Sequence, residues 1–153
     1  MASIRPALVL QNLVMNVVDL DRSVEFYENV THLRETVRDA GVAILAGPEP
    51  GSSMLYLRQA GSHAMRTGAD FVGVRSVTWE VPSFAELDRV EHVLRARDAF
   101  RDRHFVEDDP DLAFVISHDP DRLPLGFVAS RSGAKASPAS MHKVSGYVYS
   151  IDA

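Results

Sequence analysis

The feature of this sequence that most constrains its fold is an internal repeat. The stretch GVAILAGPEPGSSMLYLRQA, which starts at Gly41, can be laid without a gap on DLAFVISHDPDRLPLGFVAS, which starts at Asp111. In each stretch an apolar segment is followed by a proline-containing turn and by a second apolar segment, the pattern of two strands joined by a turn. The repeat therefore predicts two copies of one supersecondary plan.

Each copy is preceded by a strand and a helix. Residues 12–17 (NLVMNV) and 76–81 (SVTWEV) place apolar side chains at every second position, which is the period of a strand with one buried face. Asp19 and Ser83 then stand where a helix N-cap is expected, ahead of apolar residues at helical spacing. The order strand, helix, three strands is thus predicted twice, which makes the fold class α+β.

These patterns also suggest how the chain is divided. Module one is predicted over about residues 10–60 and module two over about 74–130, and together they form a paired βαβββ domain of residues 1–130. Residues 131–153 are predicted to be a linker, RSGAKASPAS, followed by a C-terminal strand in HKVSGYVYSID.

Composition excludes several classes of function. The chain has 153 residues, 46% of them hydrophobic and 24% charged, as in an ordinary globular protein. Its net charge of -5 argues against nucleic acid as a partner. Cysteine is absent, which excludes disulfides and thiolate metal ligands and fits a reducing compartment. The first residues make a poor signal peptide and no membrane span, so a cytoplasmic protein is predicted.

Three stretches carry a resemblance to a known family: NVVDLDRSVEFYENV in the first copy, VGVRSVTWEVPSFAELDRV in the second and HDPD in the final turn. With these stretches the sequence resembles the vicinal oxygen chelate superfamily, which includes glyoxalases, bleomycin-resistance proteins and extradiol dioxygenases, over Gln11 to about Ser130. It is closest in character to the extradiol branch. The resemblance implies that the two βαβββ modules form a curled mixed sheet around a cavity.

The resemblance also implies where a divalent metal would bind, namely at Asn12, Tyr56, Ser76 and Gly126. In metal-dependent members these positions carry mostly histidine and glutamate. The family ending reads roughly D-P-D-G-N-x-x-E, and DPDRLPLG has glycine in place of its carboxylate. Amide and hydroxyl oxygens are poor substitutes for imidazole and carboxylate ligands. The six histidines show no HxH or HxxxH spacing either, so we predict a degenerate site with no metal and no cofactor.

Strand alternation predicts which side chains face the cavity. The polar ones, together with a glycine, are taken as candidate ligand-binding residues: Asn12, Asn16, Tyr56, Arg58, Ser76, Thr78, Glu80 and Gly126. This wall is more polar than a filled interior requires, and buried polar groups need partners. One partner would be a small aromatic molecule, held by the ring of Tyr56, the donors of Arg58 and the carboxylate of Glu80. The alternative is an ion pair between Arg58 and Glu80 that closes the cavity.

The leading hypothesis is therefore a metal-free homodimer that binds a small, aromatic molecule in the manner of bleomycin-resistance proteins, without nucleic-acid or membrane partners. A second hypothesis is a ring-cleaving dioxygenase or lyase with an unorthodox site for a metal such as Fe(II). A third is a noncatalytic partner subunit of such an enzyme. The predicted C-terminal strand would be either the relic of a second domain or an ordinary strand that covers this one.

Overall fold

The structure, a computed structural model, describes residues 5–61, 63–65 and 70–150. The chain forms two compact units, Met1–His63 (unit 1) and Ala64–Ala153 (unit 2). No helix among the described residues is long and apolar enough to cross a membrane.

Unit 1 contains one helix and a four-stranded sheet among its described residues. Its elements are β1 (Asn12–Val17), α1 (Leu20–Thr31), β2 (Arg34–Asp39), β3 (Val42–Ala46) and β4 (Met54–Gln59). The strand order is β1-β4-β3-β2; β1 runs parallel to β4 and the other neighbours are antiparallel. Asp19 caps α1, as predicted, by accepting a hydrogen bond from the backbone N–H of Arg22 at 3.1 Å.

Helix α1 packs on one face of this sheet and creates the core of unit 1. The hydroxyl of Tyr27 on α1 donates to Met15 Sδ on β1, at 3.9 Å, so Met15 faces the helix. On the same face of the sheet, Ala43, Leu45, Leu55 and Leu57 are at most 2% exposed. The alternation of apolar residues therefore identified the helix-bearing face of unit 1 correctly.

Unit 2 repeats this arrangement and adds a helix. Its elements are β5 (Val77–Glu80), α2 (Phe84–Ala96), β6 (Phe100–Val106), β7 (Asp109–His118), β8 (Pro124–Ser130) and α3 (Pro138–Tyr149). The strand order β5-β8-β7-β6, with β5 parallel to β8, is that of unit 1. Ser83 caps α2 as predicted. The α+β class and the two βαβββ modules are thus confirmed.

The prediction of a C-terminal strand is wrong, because Pro138–Tyr149 form α3; its last residues, 151–153, lie outside the described residues. Ser137 caps the helix through the backbone N–H of Ser140, and Pro138 follows in the first turn, where its missing N–H costs nothing. Val144 and Val148, four residues apart, are fully buried on one side of the helix. The alternation in residues 146–150 (GYVYS) suggested a strand. The segment is helical because a helix buries Val144 and Val148 together against the sheet of unit 2. The predicted single domain over residues 1–130 stays a prediction.

Candidate functional site

The sheet of unit 1 has a face opposite α1 that carries polar and aromatic side chains, here called the open face. Its members pair across β1, β4 and β3: Asn12, Val14, Asn16, Val42, Ile44, Ala46, Met54, Tyr56 and Arg58. Within the described residues 5–61 the single helix, α1, lies on the other side. All members of the open face are half-buried or exposed.

Two neighbouring rows of the open face differ in chemistry. One row is apolar and aromatic, because Val14 and Ile44 lie on either side of Tyr56 in register. In the next row Asn16 is paired with Arg58, and the Arg58 Nη1 donates to Asn16 Oδ1 at 3.2 Å. Side chains two residues apart on a strand share a face, so the guanidinium lies beside the apolar row. This arrangement can hold a planar apolar ring on one side and an anionic or oxygen substituent on the other.

The equivalent face of unit 2 is covered. Thr78 pairs with Gly126 and Glu80 with Val128 between β5 and β8, in the same parallel register as the open face of unit 1. Helix α3 contacts β6, β7 and β8. Its buried valines pack in one apolar cluster with residues of these strands: Val106, Leu112, Phe114, Ile116 and Val128. Unit 2 therefore uses this face for its own core.

Gly126 lies on β8 beneath α3. A Cβ at this position would be 2.7 Å from Val148 Cγ2 and 2.9 Å from Thr78 Oγ1. Both distances are shorter than any ordinary van der Waals contact between heavy atoms. A side chain at position 126 would therefore require Val148 or Thr78 to move while α3 is docked.

This contact affects one of the four positions at which the family resemblance implies a divalent metal, Gly126. The position expected to supply a carboxylate is blocked by Val148 and Thr78, and Asn12 and Ser76 offer only an amide and a hydroxyl. Among the residues that the structure describes, no group of three or more His, Cys, Asp or Glu side chains could hold a metal ion. The described residues at these positions do not fit a divalent metal.

The edge of the covered face keeps a small groove of about 210 Å³. Thr78, Glu80, Val128, Lys135 and Met141 are among its lining residues. Lys135 Nζ donates to both carboxylate oxygens of Glu80, at 2.8 and 3.0 Å. The groove is smaller than typical ligand pockets, which span roughly 300–1,000 Å³.

The turn HDPDR before β8 has a structural role. The buried carboxylate of Asp119 accepts the backbone N–H groups of Asp121, at 2.8 Å, and of Leu123, at 2.9 Å. Arg122 between them has φ of 69°, a left-handed conformation in which glycine is the usual residue. The turn therefore sets the start of β8 without providing a chemical group to a site.

The predicted site residues separate into two groups. Asn12, Asn16, Tyr56 and Arg58 share the open face of unit 1, whereas Thr78, Glu80 and Gly126 lie on the covered face of unit 2 and Ser76 precedes β5. Their role in ligand binding stays a prediction. The alternative ion pair of Arg58 with Glu80 also stays a prediction; within unit 1 Arg58 bonds Asn16, and within unit 2 Glu80 bonds Lys135.

Two functional features were missed at the level of sequence. Lys135 lies in a segment of linker composition, where nothing indicated a partner for Glu80. The packing of Val144 and Val148 on the sheet of unit 2 was not predicted, because their segment was expected to be a strand. The Ser-Pro pair at residues 137–138, a typical helix start, was the signal that could have revealed it.

Comparison with known proteins places the fold. No protein-family model matches the sequence, and no curated protein matches it. A glyoxylase/bleomycin resistance protein/dioxygenase domain from Frankia sp. EAN1pec superposes with a TM-score of 0.64 at 23% identity, covering 85% of this chain and 96% of that one. The fosfomycin resistance protein FosX from Listeria monocytogenes gives 0.63 at 13% identity, with 88% and 98% covered.

A third solved structure, the lactoylglutathione lyase from Agrobacterium tumefaciens, superposes with a TM-score of 0.60 at 16% identity, with 82% of this chain and 96% of that chain covered. These likenesses are structural, since the identities are low. The chain has the glyoxalase/bleomycin resistance/dioxygenase fold.

Proposed function

We propose that this protein is a metal-independent small-molecule-binding protein whose ligand, a small aromatic compound with oxygen substituents, lies on the open face of unit 1. The observation that supports this most strongly is the contrast between the two units. Unit 2 fills its equivalent face with Val144 and Val148, whereas the open face of unit 1 keeps Tyr56 and Arg58 accessible.

The side chains of the open face support the proposed ligand class. The ring of Tyr56, between Val14 and Ile44, provides an apolar surface on which an aromatic ring can lie. Arg58 carries five N–H donors in a planar fork, and one of its nitrogens bonds Asn16. A phenolate or carboxylate at the edge of the ligand ring fits this fork, because charge-assisted bonds to guanidinium are the strongest available there.

The metal-independent part of the proposal is supported by the blocked position 126, described above. The solved structures of this fold carry names that refer to antibiotic resistance, glutathione chemistry and dioxygenases, and these activities belong to those proteins. Binding without catalysis is the function that the residues of this chain support best. We also propose that the protein works as a homodimer.

The test is calorimetric titration with catechol, 4-hydroxybenzoate and a dihydroxynaphthalene, on protein whose metal content is measured by elemental analysis. We expect at least one binder, and Tyr56→Ala should weaken it by about 1–3 kcal/mol, the effect of losing one anchor contact. Arg58→Gln should weaken the anionic probes most. Lys135→Gln is the matched control, since it removes an exposed cation from unit 2.

Two results would overturn the proposal. One is a panel in which nothing binds, which would favour the noncatalytic partner subunit. The other is binding that requires about one equivalent of a divalent metal and is lost with chelator, which would favour the enzyme.

A further inference from the structure

A second, larger groove lies beside α3. All of its lining residues belong to unit 2. Its volume is about 530 Å³, within the roughly 300–1,000 Å³ of small-molecule sites. The lining includes the end of β6 and the last two turns of α3, with these principal side chains: Val106, Glu107, Phe114, Lys143, Tyr147 and Tyr149.

Gly146 leaves the floor of this groove open. Apart from its chain neighbours and its own turns of helix, no atom of the described residues lies within 4 Å of a Cβ built on Gly146, so the glycine is not required by close packing. Its φ is not in the left-handed region either, since it is absent from the positive-φ residues of the described chain. A glycine inside a helix destabilises it by about 1 kcal/mol relative to alanine. At this position the missing side chain leaves the space of the groove unfilled.

Aromatic side chains form the walls of the groove. The Tyr147 ring stacks on the His104 ring, with centroids 5.6 Å apart and an interplanar angle of 23°, and its centroid lies 5.7 Å from that of Phe114. These contacts hold Tyr147 in place although the residue is 55% exposed. Tyr149 is 52% exposed. Two tyrosine surfaces are therefore available beside the open floor, one of them already fixed in orientation.

The charges at the groove favour a cation. The Lys143 ammonium bonds the Asp108 carboxylate, and this hydrogen bond holds the pKa of Lys143 above its ordinary value, with a smaller contribution from the charge of Glu107. Lys143 thus stays protonated and neutralises one of the two carboxylates near it. One negative charge remains in excess, on a protein whose net charge is already -5.

We propose that this groove binds a small organic cation with an apolar body, such as an arylalkyl ammonium compound, between Tyr147 and Tyr149 and above Gly146. The faces of the tyrosine rings attract the cation through their quadrupoles. The excess carboxylate charge at Glu107 adds to this attraction. The apolar body of the ligand lies on the floor that Gly146 leaves open. This proposal does not depend on the one made for unit 1.

The test is calorimetry and NMR titration of the full chain with benzyltrimethylammonium, with phenylacetate and benzyl alcohol as the anionic and neutral comparisons. We expect only the cation to bind, with shifts centred on the amides of residues 143–150 and with affinity that falls as salt is raised. Gly146→Leu, which fills the groove, should abolish binding. Tyr149→Leu should weaken it by about 2- to 30-fold, the range of one cation–π contact.

Matched controls separate binding from folding. Gly146→Ala adds a single methyl group and should bind nearly as well as the unchanged protein, while its helix is at least as stable. Glu107→Gln should weaken binding, whereas Glu49→Gln, an exposed residue of unit 1, should leave it unchanged. Equal binding of the neutral probe, or a Gly146→Leu protein that is folded and still binds the cation, would overturn the proposal.

Discussion

At the scale of single residues, two positions of unit 2 are explained by packing and backbone conformation, not by a chemical role in a site. Gly126 lets β8 pass under α3, because Val148 and Thr78 occupy the space that a Cβ would need. Arg122 adopts the left-handed conformation that the D-P-D turn requires, at a cost of roughly 1–2 kcal/mol that glycine would avoid. Asp119 compensates by holding the turn through two backbone N–H groups.

The first prediction concerns Gly126. Gly126→Ala should lower the free energy of unfolding by about 1–3 kcal/mol, because it inserts a methyl group into a filled contact. Urea unfolding followed by circular dichroism measures this. Gly146→Ala is the matched control and should raise stability by about 1 kcal/mol, since no atom lies near its Cβ.

A double-mutant cycle completes the test of the Gly126 contact. Adding Val148→Ala to Gly126→Ala removes the atom 2.7 Å away, so the two changes together should cost less than the sum of the single changes. If Gly126→Ala were as stable as the unchanged protein, or if the two substitutions were additive, α3 would not pack on β8 as described.

At the scale of elements, the sequence predicted all eight strands of the repeat plan and both capped helices because their periodicity and their caps agree. The strand 12–17 was predicted with its observed bounds as β1, and the last strand of the second module corresponds to β8. Helix α3 was missed because Val144, Gly146 and Val148 also satisfy a period of two. The local signal for the helix is its Ser-Pro start at residues 137–138, and the apolar surface of Phe114 and Ile116, distant in the chain, stabilises the helix by packing against it.

Helix α2 is joined to β6 by charged side chains as well as by apolar packing. Arg103 on β6 bonds Asp88 at 2.6 Å and Glu91 at 3.1 Å, and Glu91 also accepts from Arg95 at 2.9 Å. Burial by itself would raise the pKa of Glu91, but the hydrogen bonds from Arg95 and Arg103 outweigh it and hold that pKa below the ordinary value.

A prediction about acid stability follows from this network. Since the pKa of Glu91 is lower in the folded chain, its contribution is present above the ordinary pKa of about 4.5 and is lost as pH falls through the folded value. Glu91→Gln should therefore be less stable than the unchanged protein at pH 6, by about 0.5–1 kcal/mol for a partly exposed network. The difference should disappear near pH 3.

Urea unfolding at a series of pH values provides the measurement, with Glu49→Gln as the control in an exposed turn of unit 1. The control should follow the pH dependence of the unchanged protein. A constant difference between Glu91→Gln and the unchanged protein from pH 6 to pH 3 would show that the ion pairs with Arg95 and Arg103 do not stabilise the fold.

At the scale of the whole molecule, the repeat predicted the plan of both units but not how differently they use their faces. Asn16, Tyr56 and Arg58 were correctly placed on one face because strand alternation alone determines it. The cover over Thr78 and Gly126 was not predicted, since it depends on how α3 packs on the sheet, which strand periodicity does not determine. The same repeat thus provides one open face and one that is part of a core.

The last prediction is a homodimer, and it depends on apolar residues that the described chain exposes. Leu8, Val9 and Leu10 are 99%, 87% and 82% exposed in unit 1, and consecutive apolar residues on a surface usually mark a contact with another molecule. A biological interface should bury more than about 1,000 Å² in total. Light scattering at micromolar concentration should give the mass of two chains, and Leu8→Ser with Leu10→Ser should shift the protein to monomer. Val37→Ser, which changes an apolar residue that is 48% exposed on β2 beside Ile44, should leave the mass unchanged. A monomer in every sample would mean that residues 8–10 contact something other than a second copy of this chain.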